Sequence, residues 1–112
     1  MKIFVSGKYG PHDLPAEQRL ANTMLAIEVG RELIKKGHLP FIPHLSHFVH
    51  EGWGWEGSTQ ELWYSIDLEW LRCCDAILLL PGWSKSKGAL REAHLAYDLG
   101  MPIYYHLAEI AP

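Results

Sequence analysis

Two carboxylates are marked out by their neighbours. Trp63, Asp67, Trp70 and Cys74 fall at i, i+4, i+7 and i+11, so on a helix this acid shares a stripe with large or buried side chains. A carboxyl group in such company is desolvated and its pKa rises, which makes it a candidate for proton transfer unless Arg72 or Arg91 pairs with it. Glu92 lies roughly one turn into a second predicted helix, just after Trp83-Ser84-Lys85-Ser86-Lys87-Gly88. The start of that helix offers unpaired N–H groups and partial positive charge, which suit a phosphate or a sugar hydroxyl and hold a nearby carboxylate ionised. The plainer alternatives are an ordinary first-turn glutamate and a Ser86 that only caps its helix between solvated lysines.

A third group is His44-x-x-His47-x-x-His50, followed by Gly52-Trp53-Gly54-Trp55. Its spacing invites a metal, but a zinc site needs three or four converging ligands. Trp53 and Trp55 suit stacking on a flat base, so base recognition or plain loop packing is the preferred reading, and neither metal nor cofactor is expected. The glycines make this segment a candidate lid.

The elements that must position these groups alternate. A strand at residues 2–6 ends in the glycine-bearing loop Ser6-Gly7-Lys8-Tyr9-Gly10-Pro11. Residues 15–36 read as a helix with Leu20, Met24, Ile27 and Ile34 as its apolar stripe, closed by Gly37. Residues 39–43, with two prolines, read as an edge strand, and residues 44–58 as a long functional or mobile loop. Ser58 or Thr59 caps the helix that carries Asp67. Residues 76–80 form an apolar strand buried on both faces, residues 88–99 a helix, and residues 102–105 a last strand. This order predicts one α/β domain over residues 1–112, with a parallel sheet of four to five strands and helices on both faces. Ligands of such sheets sit beyond the carboxyl ends of the strands, where the loops at residues 6–11, 44–58 and 81–87 emerge.

Composition narrows the partners. With 48% hydrophobic and 21% charged residues, 112 residues suffice for one packed core. A net charge of -3 and no Lys/Arg run longer than two argue against a nucleic-acid polymer. No apolar run is long enough to span a membrane, and the N-terminus is unlike a signal peptide. Cys73 and Cys74, vicinal at an apolar helix end, read as buried thiols in a reducing compartment, so a cytoplasmic protein is expected.

Asp67-Leu68-Glu69-Trp70-Leu71, followed by Asp75-Ala76, resembles a segment of the 2'-deoxynucleoside 5'-phosphate N-hydrolases and the Asp-bearing helix of the nucleoside 2-deoxyribosyltransferases. Gly88-Ala89-Leu90-Arg91-Glu92 is similar to the Gly-x-x-x-Glu element of that superfamily, and Ile3 to Gly7 to its first strand and turn. The resemblance runs through nearly the whole chain. It implies a Rossmann-like or flavodoxin-like domain that breaks the bond between deoxyribose and a nucleobase. Glu92 would be the nucleophile, forming a deoxyribosyl-Glu intermediate, and Asp67 the acid/base. A second base as acceptor makes a transferase, the favoured outcome, and water a hydrolase. The substrates implied are a purine or pyrimidine deoxynucleoside or deoxynucleotide and a free base.

Departures from the pattern carry information. Phe4 stands where the family has a first-strand tyrosine that helps hold the nucleophile, so Tyr9 or Tyr64 is expected to supply that hydroxyl. Ser86 stands where typical transferases carry an acid, which is the hydrolase-like choice, and with Lys85 and Lys87 beside it a 5'-phosphate becomes a credible ligand. Phe4, Ser6, Gly7, Lys8, Ser84, Ser86 and Gly88 are expected around the sugar or phosphate, and His44, His47, Trp53 and Trp55 near the base. A rival reading is a nucleotide-sensing module that has lost the chemistry, which Phe4 favours. The helix of Asp67, apolar on several sides through Trp63, Tyr64, Ile66, Leu68, Trp70 and Leu71, predicts a homodimer or larger homo-oligomer.

Overall fold

The computed structural model describes residues 1–10, 14–54 and 56–112. Its elements, in chain order, are β1 (Lys2–Ser6), α1 (Ala16–Lys35), β2 (Leu39–Phe41), a 3-10 turn (Pro43–Ser46), the one-turn helix α2 (His47–His50) and α3 (Gln60–Arg72). After these come β3 (Ala76–Leu79), a 3-10 turn (Trp83–Lys85), α4 (Lys87–Asp98), β4 (Ile103–Tyr104) and a final 3-10 turn (Leu107–Glu109). The four strands form one parallel sheet in the order β2-β1-β3-β4. The proline-bearing β2 lies at an edge, where a missing N–H costs no ladder bond.

Side-chain alternation divides the core between the two faces of the sheet. Ile3 and Val5 of β1 join Ala76, Leu78 and Leu80 under α1, with Ala26, Leu33 and Ile110. Phe4 points the other way and packs with Ile77 and Leu79 of β3, Leu71 of α3 and Ala96 of α4. Every residue of β3 is buried, as expected of a central parallel strand covered by helices on both sides.

Three features differ from the sequence reading. The face that α1 buries is Arg19, Thr23, Ala26, Gly30 and Leu33, while Leu20, Met24 and Ile34 of the expected stripe are exposed. The approach is close at Gly30, where a Cβ would lie 2.4 Å from the Ile42 side chain, so that position has no room for a larger residue. Residues 44–58 are not an open loop, because the turn and α2 bury His44, His47 and His50. The cysteines are not a buried pair: Cys73 is exposed and Cys74 half-buried, both as free thiols. Their Sγ atoms reach the carbonyls of Glu69 and Trp70 at the end of α3.

The helix starts are well specified. Thr59 caps α3 by accepting from the N–H of Leu62 (3.1 Å), and Ser86 caps α4 by accepting from that of Ala89 (3.2 Å). α3 is anchored to the sheet mainly through Leu71, its one fully buried residue among those described. Truncating Leu71 to alanine leaves a cavity beneath α3 and should cost about 2–5 kcal/mol, read as a lower urea midpoint with unchanged slope. A loss below about 0.5 kcal/mol would show that α3 is held by something other than this contact.

Candidate active site

β1 leads to β2 on one side of the sheet while β3 and β4 lie on the other, so strand order reverses between β1 and β3. Their carboxyl ends, Ser6 and Leu79, lie side by side. A cleft opens at this switch point, where an open parallel sheet presents diverging loops. Its walls are Gly7 to Gly10 after β1, His44, Ser46 and His50 after β2, Gln60, Trp63, Tyr64 and Asp67 of α3, and Lys85 to Ala89 with Glu92 at the start of α4.

Close packing shapes this cleft. A Cβ on Gly7 would lie 2.9 Å from Cβ of Leu80, the root of a side chain that cannot swing away. One on Gly88 would lie 3.0 Å from the Tyr64 ring, where α4 meets α3. These two glycines let the β1 loop and α4 close on the space between them.

Glu92 lies about one and a half turns into α4 and is almost fully buried. The hydroxyl of Ser6 donates to its Oε1 at 2.7 Å. Burial, and after it the charge of Asp67, push the Glu92 carboxyl up to about 8, against the opposing hydrogen bond from Ser6. Asp67 is raised to about 7 by loss of solvent. Among the described residues it has no ion pair: Arg91 instead pairs with Glu61 at 3.3 Å and lies 4.3 Å over the Tyr64 ring. Two carboxyl groups in one cleft, both held above the ordinary range and repelling each other as anions, titrate as a pair. Near neutral pH that pair retains a proton, which allows one acid and one carboxylate in the same cavity.

Positive charge gathers at the rim through Lys8, Lys85 and Lys87, all of which line the cleft. Behind the β1 loop lies a polar layer. The Tyr9 ring sits edge-on to those of His44, His47 and His50, its hydroxyl 2.8 Å from His47 Nδ1. Burial pushes the phenol of Tyr9 up to about 12, so it stays neutral. His44 places Nε2 3.2 Å from the carbonyl of Lys8, which can only accept, so this nitrogen carries the proton. Desolvation lowers His44 to about 4 and keeps it uncharged. His50 Nδ1 lies 2.5 Å from the Ser58 hydroxyl, which also accepts from Trp63 Nε1 at 2.7 Å. Arg19 ties α1 to this layer through Glu51, donating from Nε at 2.9 Å. With the three rings so engaged, no cluster of metal ligands is formed among the described residues.

Of the residues expected at a site, Glu92, Asp67, Tyr9, Tyr64, Gly7, Lys8, His44, Ser86 and Gly88 line one cleft. Several do not. Phe4 is a core residue, its ring 5.5 Å from that of Phe41, because its strand position points below the cleft floor. Ser6 is also fully buried and reaches the cleft only through Glu92. The hydroxyl on Glu92 is therefore that of Ser6, where Tyr9 or Tyr64 was expected. His47 lies behind Tyr9, and Ser84 is on the surface outside the cleft. Trp53 is half-exposed and folded against Gly57, away from the lining. Trp55 lies outside the described residues. Gln60 escaped the sequence reading, although Gln60, Trp63, Tyr64 and Asp67 fall at i, i+3, i+4 and i+7 and so share a face.

Comparison with known proteins gives two findings and one blank. No curated protein matches the chain. Among solved structures, a 2-deoxyribosyltransferase from the psychrotolerant bacterium Bacillus psychrosaccharolyticus is similar, with a TM-score of 0.61 and 23% identity. The match covers 92% of this chain and 69% of that one, and establishes a shared fold. The family model described as "Domain of unknown function (DUF4406)" matches residues 1–105, and the chain belongs to that family.

Proposed function

We propose that this protein cleaves the N-glycosidic bond of 2'-deoxynucleosides and passes the sugar to another nucleobase. The observation that carries this reading is the convergence of Glu92 and Asp67, both with raised pKa, on one cleft at the sheet's switch point. The fold shared with a 2-deoxyribosyltransferase supports it.

In the first step a Glu92 carboxylate oxygen bonds to C1' while the bond from C1' to the base nitrogen breaks. The electron pair leaves with the base, which takes a proton from Asp67. The reverse use of the same groups completes the transfer: Asp67 accepts a proton from the incoming base, whose nitrogen displaces Glu92 from C1'. The reactive state holds one proton on the pair, placed on Asp67. Glu92 carries the charge because the developing cation at C1' stabilises an anion beside it. Tyr9, Trp63 and Tyr64 supply flat apolar walls for base and sugar.

Hydrolysis is the second reading, favoured by Lys8, Lys85 and Lys87 at the rim together with Ser86 at the α4 cap. These would bind the 5'-phosphate of a deoxynucleoside monophosphate, and water would then resolve the intermediate. We also propose a homodimer or larger assembly. Trp70, 52% exposed on α3, and the outward Leu20, Met24 and Ile34 of α1 are apolar surface that a second copy would cover.

Incubation with deoxyinosine and free adenine separates the outcomes. New deoxyadenosine is expected, whereas hypoxanthine with free deoxyribose alone would support hydrolysis. Glu92→Gln should lower turnover at least about 1000-fold and Asp67→Asn about 100- to 10,000-fold. Full activity in either variant would remove that residue from the mechanism.

The same residues should cost stability, with a definite pH dependence. The folded state keeps Glu92 protonated at pH values where the unfolded chain has already ionised it. Stability therefore falls as pH rises from the ordinary carboxylate range to about 8, and levels off above it. Glu92→Gln removes this penalty while keeping an oxygen for the Ser6 hydroxyl. Its melting temperature should match the parent's near pH 4 and exceed it by on the order of 5 °C at pH 8. A difference that does not vary with pH would contradict the assignment.

A further inference from the structure

Ser6 presents a problem that packing does not answer. It sits on the inward face of β1, two residues beyond Phe4, and is fully buried. An alanine would fill this position without burying a hydroxyl. The Ser6 side chain does not line the cleft, and its hydrogen bond runs to Glu92 Oε1 at 2.7 Å. Glu92, in turn, is an acid placed where burial opposes its charge. A sequence selected for stability alone would keep neither group.

The strand holding Ser6 is fixed on several sides. Ser6 pairs with Leu79 of β3, its carbonyl accepts from the N–H of Leu80 at 2.7 Å, and Gly7 beside it leaves no room for shift against Leu80. The hydroxyl is thus delivered from a central strand, with little freedom left to move. We infer that Ser6 is the positioning residue for Glu92: its hydroxyl anchors Oε1, so that Oε2 is the attacking oxygen, and favours the ionised carboxylate over the acid. The inference rests on Glu92 acting as a nucleophile, as proposed above, but its electrostatic half is measurable without turnover.

The physical basis is specific to a donor. An O–H group stabilises an anion through a charge-assisted hydrogen bond, and it restricts rotation of the carboxyl group about its terminal bond. Restriction of this kind lowers the barrier by holding a near-attack geometry rather than by tightening substrate binding. The loss should therefore fall on kcat and leave KM nearly unchanged. Among the described residues, the other ionisable groups around the same cleft are Lys8 and Tyr9 after β1, His44 and His50 after β2, Tyr64 and Asp67 on α3, Lys85 before α4 and Lys87 at its start. All of these stay in place in a Ser6 variant, so a changed titration of Glu92 reports on the lost hydroxyl.

The test compares the parent chain with Ser6→Ala and Ser6→Cys, the second keeping a weak donor of similar size. Glutamate labelled with carbon-13 at the carboxyl carbon allows Glu92 to be titrated by NMR, with its signal assigned by absence from Glu92→Gln. Ser6→Ala should raise the Glu92 midpoint by about one pH unit, a tenfold change in acidity, and Ser6→Cys by less. In the deoxynucleoside assay, kcat should fall about 10- to 100-fold in Ser6→Ala with KM within about twofold, and Ser6→Cys should lie between. A midpoint that stays put, or a loss confined to KM or to melting temperature, overturns the inference. If the parent chain turns over no deoxynucleoside yet the midpoint rises in Ser6→Ala, the catalytic proposal falls while Ser6 still holds Glu92 toward its charged form.

Discussion

Burying the carboxyl of Glu92 between α4 and the first strand is the constraint around which the rest of this molecule is arranged. A carboxylate removed from water is unfavourable by several kcal/mol unless it is protonated or well partnered. Among the described residues it has one hydroxyl donor and an acidic neighbour instead of a cation. Such an arrangement works against stability and is the kind that active sites retain, because it holds a proton and a negative charge ready in the same small volume.

The fold makes that arrangement possible at modest length. Reversal of strand order between β1 and β3 opens a gap at the sheet's carboxyl edge, and the two central strands place Ser6 and Leu79 beside it. α4 starts at the rim with its Ser86 cap and turns Glu92 back toward β1. α3 crosses next to it and adds Asp67. The histidine-rich segment after β2 packs beneath Tyr9 and stiffens the β1 loop from behind, with Arg19 and Glu51 clamping it to α1. Lys85 and Lys87 stay at the rim, exposed to solvent.

How much of this was legible in the sequence follows from the range over which each signal acts. Alternation of strands and helices and the buried run at β3 are local, and they read correctly, whereas the cap of α3 stayed open between Ser58 and Thr59 and the Ser86 cap was only the plainer alternative. Asp67 was detectable because its tryptophan neighbours share its helical stripe. The buried face of α1 was not, since hydrophobicity pointed to Leu20, Met24 and Ile34 while the face that packs inward mixes Arg19, Thr23 and Gly30 with Ala26 and Leu33. The histidine triplet looked like loop because its helical turn is stabilised by tertiary partners, Tyr9 and the Lys8 carbonyl, that lie far off in sequence. The Ser6 hydrogen bond spans 86 residues, and no local pattern announces it.

The central claim is that Glu92 becomes covalently attached to the sugar. A 2'-fluoro-2'-deoxynucleoside slows breakdown of such an adduct, because fluorine destabilises the positive charge that develops at C1'. After incubation with this analogue, mass spectrometry of the intact chain should show the gain of one fluorodeoxyribosyl group, mapped by proteolysis to the peptide carrying Glu92. Release of base with no adduct, or an adduct on another residue, would contradict the account.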